Sequence, residues 1–122
     1  NTSATVMRTI KTAGAQFFAG NLLDLDVPID LSQTQKLSMK VWSPKAGIPI
    51  RLAMERTDGG AAQVFVDVNT TTSNEWEELD FDFSGVADNS TNYNRVVVFM
   101  EFIVDLAGDG STYYFDDIQL TN

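Results

Sequence analysis

Within Glu77–Phe83, three apolar residues, Leu79, Phe81 and Phe83, alternate with three acidic ones, Glu78, Asp80 and Asp82. A period of two fits a pleated strand with one face in a core and the other in water. Much of the chain repeats this theme. Lys36–Trp42 places Leu37, Met39 and Val41 on one face, and Ser38, Lys40 and Trp42 on the other. Pro49–Glu55 separates Ile50, Leu52 and Met54 from Arg51, Ala53 and Glu55. Gln63–Val68 separates Val64, Val66 and Val68 from Gln63, Phe65 and Asp67. Arg95–Ile103 is apolar on both faces until Glu101, the pattern of a central strand. Runs at Ala4–Ile10, Gln16–Leu22 and Thr112–Leu120 bring the set to about eight strands.

No segment sustains a 3.6-residue period. Leu22–Leu31 has room for a turn of helix, but Pro28 and three Asp interrupt it. Turn residues mark the gaps: Ser43-Pro44-Lys45-Ala46-Gly47, Asp58-Gly59-Gly60, Asn69–Asn74, Ala87–Asn94 and Asp105–Ser111. Short strands at this spacing, without helices, predict an all-β sandwich, barrel or jelly roll. At 122 residues the chain is one domain, 1–122, able to bury a core without staples.

Composition narrows the chemistry. There is no Cys, so disulfides and thiolate zinc sites are excluded. There is no His, which removes the Ser-His-Asp triad and the commonest general base. The net charge of −9 disfavours nucleic acid as a partner, and for the same reason disfavours an anionic polysaccharide. A neutral sugar polymer suffers no repulsion, and acidic residues suit calcium. No run of eighteen apolar residues is present, so no membrane span is expected.

Several expected outward faces mix an aromatic ring with polar groups: Phe65 with Gln63 and Asp67, and Trp42 with Lys40. Sugar sites are built that way, because flat rings take the C–H faces of pyranoses while carboxylates, amides and guanidinium groups bond hydroxyls. Phe17 and Phe18 are adjacent and point to opposite faces of a strand; one is expected in the core, and the other is a candidate to stack on a ligand. Arg51 and Glu55 share a face roughly 13 Å apart and are candidate hydroxyl-binding groups. Glu101, a charge in an apolar strand, needs a partner: a structural cation or a ligand on the concave face. Trp76 reads as packing at the sandwich rim. The acids Glu75, Glu77, Glu78, Asp80 and Asp82 read as a solvated face, not as a glycosidase pair. Asp105–Ser111 reads as a plain turn, since it lacks calcium-loop spacing.

Two stretches carry a family resemblance. Asn74-Glu-Trp-Glu-Glu-Leu-Asp-Phe-Asp-Phe83 resembles a Trp-bearing strand of jelly-roll carbohydrate-binding modules. Tyr113-Tyr-Phe-Asp-Asp-Ile-Gln-Leu120 resembles their closing strand, Y-x-D-D-(V/I)-x-L. The type is that of families 4, 9 and 22, attached to glycoside hydrolases. With Met39-Lys-Val-Trp-Ser-Pro44 and Ala15-Gln-Phe-Phe-Ala-Gly20, the chain is also similar to modules of secreted polysaccharide-utilisation proteins of marine Bacteroidetes.

The resemblance implies a jelly roll of two antiparallel sheets, no catalysis and a polysaccharide or oligosaccharide ligand. It also implies a structural calcium near the closing strand, with Asp116 and Asp117 as the acidic pair. The expected ligand is a neutral β-glucan of the laminarin type. The expected setting is a secreted or cell-surface protein in which the module is covalently attached to further domains. Two alternatives remain: a binder of alginate or a sulfated galactan, drawing on Lys40, Arg51 and either Lys36 or Arg56, and a structural or adhesion sandwich with no glycan ligand.

Overall fold

The alternating runs pair into eight antiparallel strands in the computed structural model, which describes residues 6–17, 19–59, 63–88 and 91–121. They are β1 (Met7–Lys11), β2 (Asn21–Asp24), β3 (Lys36–Ser43), β4 (Pro49–Glu55), β5 (Val64–Asn69), β6 (Glu75–Asp82), β7 (Arg95–Met100) and β8 (Ser111–Thr121). A first sheet has the order β1-β8-β3-β6, and a second has the order β2-β7-β4-β5. Among the described residues there is no helix. The inward alternates of both sheets meet in one core. Met39, Val41, Phe81, Phe83, Tyr113 and Phe115 come from the first sheet and the segment that follows β6; Ile50, Leu52, Met54, Val96, Val98 and Met100 come from the second. The expected fold, a β-sandwich of two antiparallel sheets, is the one observed.

β1 overlaps the expected Ala4–Ile10, of which Ala4 and Thr5 lie outside the described residues, and three larger departures from the sequence reading have a structural cause. β2 lies at Asn21–Asp24, beyond the expected Gln16–Leu22. Here Gly20 approaches β7 so closely that a Cβ would sit 2.7 Å from Phe99 Cδ1 and 2.8 Å from the Val98 carbonyl oxygen. β7 ends at Met100 rather than Ile103, because Glu101 turns into the left-handed region at φ 49°. β8 carries a bulge. Ser38 pairs with Gln119 and Lys40 with Asp116, so Asp117 and Ile118 together oppose Met39. Asp117 takes φ 52° there, and the bulge returns Ile118 to the core side.

Two polar groups hold the ends of the sandwich. Lys11 is buried on β1, and its ammonium donates to three backbone carbonyls: Met100 at 2.8 Å, Glu101 at 2.9 Å and Phe17 at 3.3 Å. One side chain thus ties β1 to the end of β7 and to the β1–β2 loop. The second group is the Glu77 carboxylate. It accepts from the N–H and hydroxyl groups of Thr71 and Thr72 at 2.8–3.1 Å, pinning the β5–β6 connection. Burial would push the Glu77 carboxyl up, but the hydrogen bonds from Thr72 and then Thr71 outweigh it and hold it below the usual carboxylate range.

Two outcomes are expected. Lys11→Met leaves these carbonyls without their donor and lowers stability by about 2–3 kcal/mol, read from the urea midpoint at constant m. For Glu77 the folded-state pKa is depressed, so its contribution is present above the unfolded pKa and fades as pH falls through that value towards the folded one. Glu77→Gln is therefore less stable by about 1–2 kcal/mol near neutrality. Melting temperatures measured from about pH 6 to about pH 3 should show the variant and the parent converging. A constant gap over that range would remove Glu77 from the acid response.

Candidate glycan-binding face

The second sheet turns its other alternates outward. On β4 these are Arg51, Ala53 and Glu55; on β5, Phe65 and Asp67; on β7, Arg95, Val97 and Phe99; on β2, Leu22 and Asp24. The register lines them up across the strands. One row runs Leu22, Val97, Ala53, Phe65, and three inter-strand spacings span it, about 14 Å. Its middle is low, since Ala53 and Val97 are buried even though they face outward. Its ends stand up, with Leu22 59% exposed and Phe65 44% exposed. The face is a trough with walls on the edge strands.

A cleft of about 260 Å³ opens in this trough, lined by Gly20, Leu22, Glu55, Gln63, Val97 and Phe99. Its floor is apolar, and its rim is polar and already oriented. Gln63 Nε2 donates to Glu55 Oε2 at 2.9 Å, and Arg95 Nη1 donates to Glu55 Oε1 at 3.2 Å. Arg95 Nε reaches Asp24 Oδ1 at 2.6 Å. Gly20 forms part of the wall because its missing side chain lets the Phe99 ring approach the β2 backbone.

An aromatic and guanidinium stack closes one end of the trough. Arg51 lies between two rings, its Cζ 3.8 Å from the Phe65 centroid and 3.7 Å from that of Phe102. The same guanidinium makes a two-pronged pair with Asp67, at 2.7 and 2.9 Å. Phe102 meets Phe99 edge-on at 5.1 Å and Phe17 at 5.4 Å. Arg51 therefore sets the Phe65 ring in place more than it offers free donors. Cation–ring contact of this kind contributes about 0.5–2 kcal/mol.

The sequence-derived candidates divide between the two sides of the molecule. Arg51, Glu55 and Phe65 come together on this face. Phe17 packs behind Phe102 at its end, and Phe18 lies outside the described residues. Lys40 and Trp42 sit on the outer face of the first sheet, across the sandwich. Glu101 does not reach either outer face. It is buried, and its Oε1 is 2.8 Å from Lys45 Nζ, the structural cation that its place in an apolar strand required. Lys45 also reaches Asp109 at 2.6 Å. Burial acts to lower the Lys45 pKa, but its bonds to Asp109 and Glu101 outweigh burial and raise it. The Lys45 bond pulls Asp109 well below the carboxylate range.

Asp116 and Asp117 do not assemble a calcium ligand set among the described residues. Asp117 Oδ2 lies 3.1 Å from Lys40 Nζ, and Asp116 is paired across from Lys40. No group of three or more acidic side chains that could hold a metal occurs among the described residues. Calcium wants roughly six to eight oxygens, more than these two carboxylates supply.

Leu22, Val97 and Phe99, which line the cleft, were not singled out from the sequence. A signal for two of them was present, because Arg95–Ile103 is apolar on both faces although only one face can meet the core. What the sequence lacks is the register that sets Val97 beside both Leu22 and Ala53.

With this geometry in hand, the chain can be set beside known proteins. Neither a protein-family model nor a curated protein sequence matches it. Solved structures do. A family 30 carbohydrate-binding module superposes with a TM-score of 0.64 at 18% identity, covering 95% of this chain and 66% of its own. The family 11 module of the cellulosomal cellulase Lic26A-Cel5E of Clostridium thermocellum gives 0.57 at 15% identity, covering 95% and 81%. A family 11 module from the same organism, in complex with a β-1,3-1,4-mixed-linked tetrasaccharide, gives 0.56 at 18% identity, covering 95% and 82%. The chain spans 66% of the length of that family 30 module, just short of two thirds. At these identities the likeness is one of fold, and the chain has the jelly-roll sandwich fold of carbohydrate-binding modules.

Proposed function

We propose that this domain is a non-catalytic module that binds a neutral polysaccharide, a β-glucan by preference, on the outer face of the second sheet. The trough between Leu22 and Phe65 carries the reading. Its apolar floor suits the C–H face of a pyranose, and the Glu55, Gln63, Arg95 and Asp24 rim suits hydroxyls. The cleft falls below the roughly 300 Å³ at which enclosing ligand pockets begin, so it takes one part of a longer chain lying across an open surface. A likeness in fold to a module solved with a mixed-linkage tetrasaccharide supports the choice of a glucan. We further propose that the module serves an attached enzyme or surface protein outside the cell, carrying it to its substrate.

Four of the surface cations speak against a polyanion. Lys40 pairs with Asp117, Arg51 with Asp67, Arg56 with Asp58, and Arg95 with Asp24 and Glu55. An alginate or sulfated galactan would have to displace a carboxylate at each. On the catalytic side, Glu55 in the cleft and Asp24 beside it both accept from Arg95, so the two carboxylates are engaged with one guanidinium rather than set apart across a glycosidic bond.

Affinity electrophoresis against laminarin, mixed-linkage glucan, xylan, mannan and alginate tests the reading. Retardation by a neutral β-glucan, unchanged by added salt, is expected. Phe65→Ala should weaken binding at this face about tenfold, or ~1.4 kcal/mol, with the fold intact by circular dichroism. Retardation by alginate alone, lost in salt, would replace the ligand class. No retardation by any polymer would leave a structural sandwich.

A further inference from the structure

The first sheet also has an outer face, and its register produces a pattern independent of the cleft. Tyr114 on β8 pairs with Trp42 on β3, and Trp42 pairs with Trp76 on β6. The three rings form a row across three adjacent strands, about 10 Å from Tyr114 to Trp76. All three are half-buried. Trp42 and Tyr114 meet edge to face, centroids 5.5 Å apart at 76°. With Val6 they line an open cavity of about 230 Å³.

The next outward row on the same strands is charged. Asp116, Lys40 and Glu78 stand side by side, one pleat repeat from Tyr114, Trp42 and Trp76 respectively. Lys40 also bridges to Asp117 at 3.1 Å. An aromatic row bordered by a fixed row of carboxylate and ammonium groups offers ring faces for C–H surfaces and charged groups for hydroxyls. Asp80 and Asp82 continue this face, and its acidity turns away polyanions.

We propose that this aromatic row is a second saccharide site, for a neutral glycan, so that one module holds sugar on both outer faces. The proposal rests on the glycan-binding reading above but uses none of its residues. A protein partner fits the patch poorly. A stable interface takes roughly 20–30 residues a side, with few charges at its centre. Here four residues line the cavity, and the charged row runs directly beside them.

The test is unusually direct, because the chain has 2 Trp, Trp42 and Trp76, and both line this cavity. Tryptophan emission therefore reports on the first sheet, while calorimetry reports on both. The probes are a β-1,3-1,4-mixed-linked glucan tetrasaccharide and laminarin oligosaccharides, titrated into the parent chain, Phe65→Ala and Trp76→Ala. A saturable emission change with unaltered midpoint in Phe65→Ala, beside a parent calorimetric stoichiometry of two in which one site is weakened about tenfold by that substitution, is the expected result. Trp76→Ala should keep the site on the second sheet; should it fail to fold, the parent and Phe65→Ala titrations still decide. Calorimetric binding with unchanged emission would overturn the second site and leave the first standing. An emission change that disappears in Phe65→Ala would also overturn it. No heat and no emission change with either probe would overturn both readings.

Discussion

Burying the inner faces of two four-stranded sheets against each other decides where every remaining side chain goes. Because the strand period is two, each inward Leu, Met, Phe or Val commits its neighbours to an outer face. Leu52 and Met54 in the core put Arg51, Ala53 and Glu55 outside; Met39 and Val41 put Lys40 and Trp42 outside. A slip of one residue would exchange the core with both proposed binding faces. Fold and site are thus set by one constraint, and the large buried rings of Phe81, Phe83, Tyr113 and Phe115 enforce it.

Polar groups then fix what packing leaves loose. Lys11 spends its ammonium on backbone carbonyls inside the protein, and Lys45 spends its own on Glu101 and Asp109. On the surface, Arg51, Arg95 and Lys40 each hold at least one carboxylate. The net charge of −9 is therefore not offset by a basic patch formed from these side chains, which is consistent with a neutral ligand. The same pairings hold Phe65, Glu55 and Gln63 in place, which would limit the ordering cost of the proposed binding.

Much of the fold was legible in the sequence, because alternation is a local property. The faces of β3, β4, β5 and β6 follow from it directly. The misplacement of β2 and the early end of β7 were not legible. The first depends on the close approach of Gly20 to Phe99, and the second on Glu101 turning back to Lys45; both contacts join residues far apart in the chain. The site was half legible for the same reason. Arg51, Glu55 and Phe65 could be placed on a common outward side, but alternation cannot say which sheet a strand joins. Trp42 and Lys40 were therefore grouped with residues from which the whole core separates them. Trp76, read as rim packing, and Tyr114 gain meaning only through their pairing with Trp42.

The central claim is that a neutral glucan lies in the trough of the second sheet. Amide chemical-shift mapping with the mixed-linkage tetrasaccharide tests it most directly. The account predicts saturable shifts that include Leu22, Ala53, Gln63, Phe65, Val97 and Phe99. Shifts confined to the connections between β2 and β3 or between β7 and β8, with the trough silent, would contradict it.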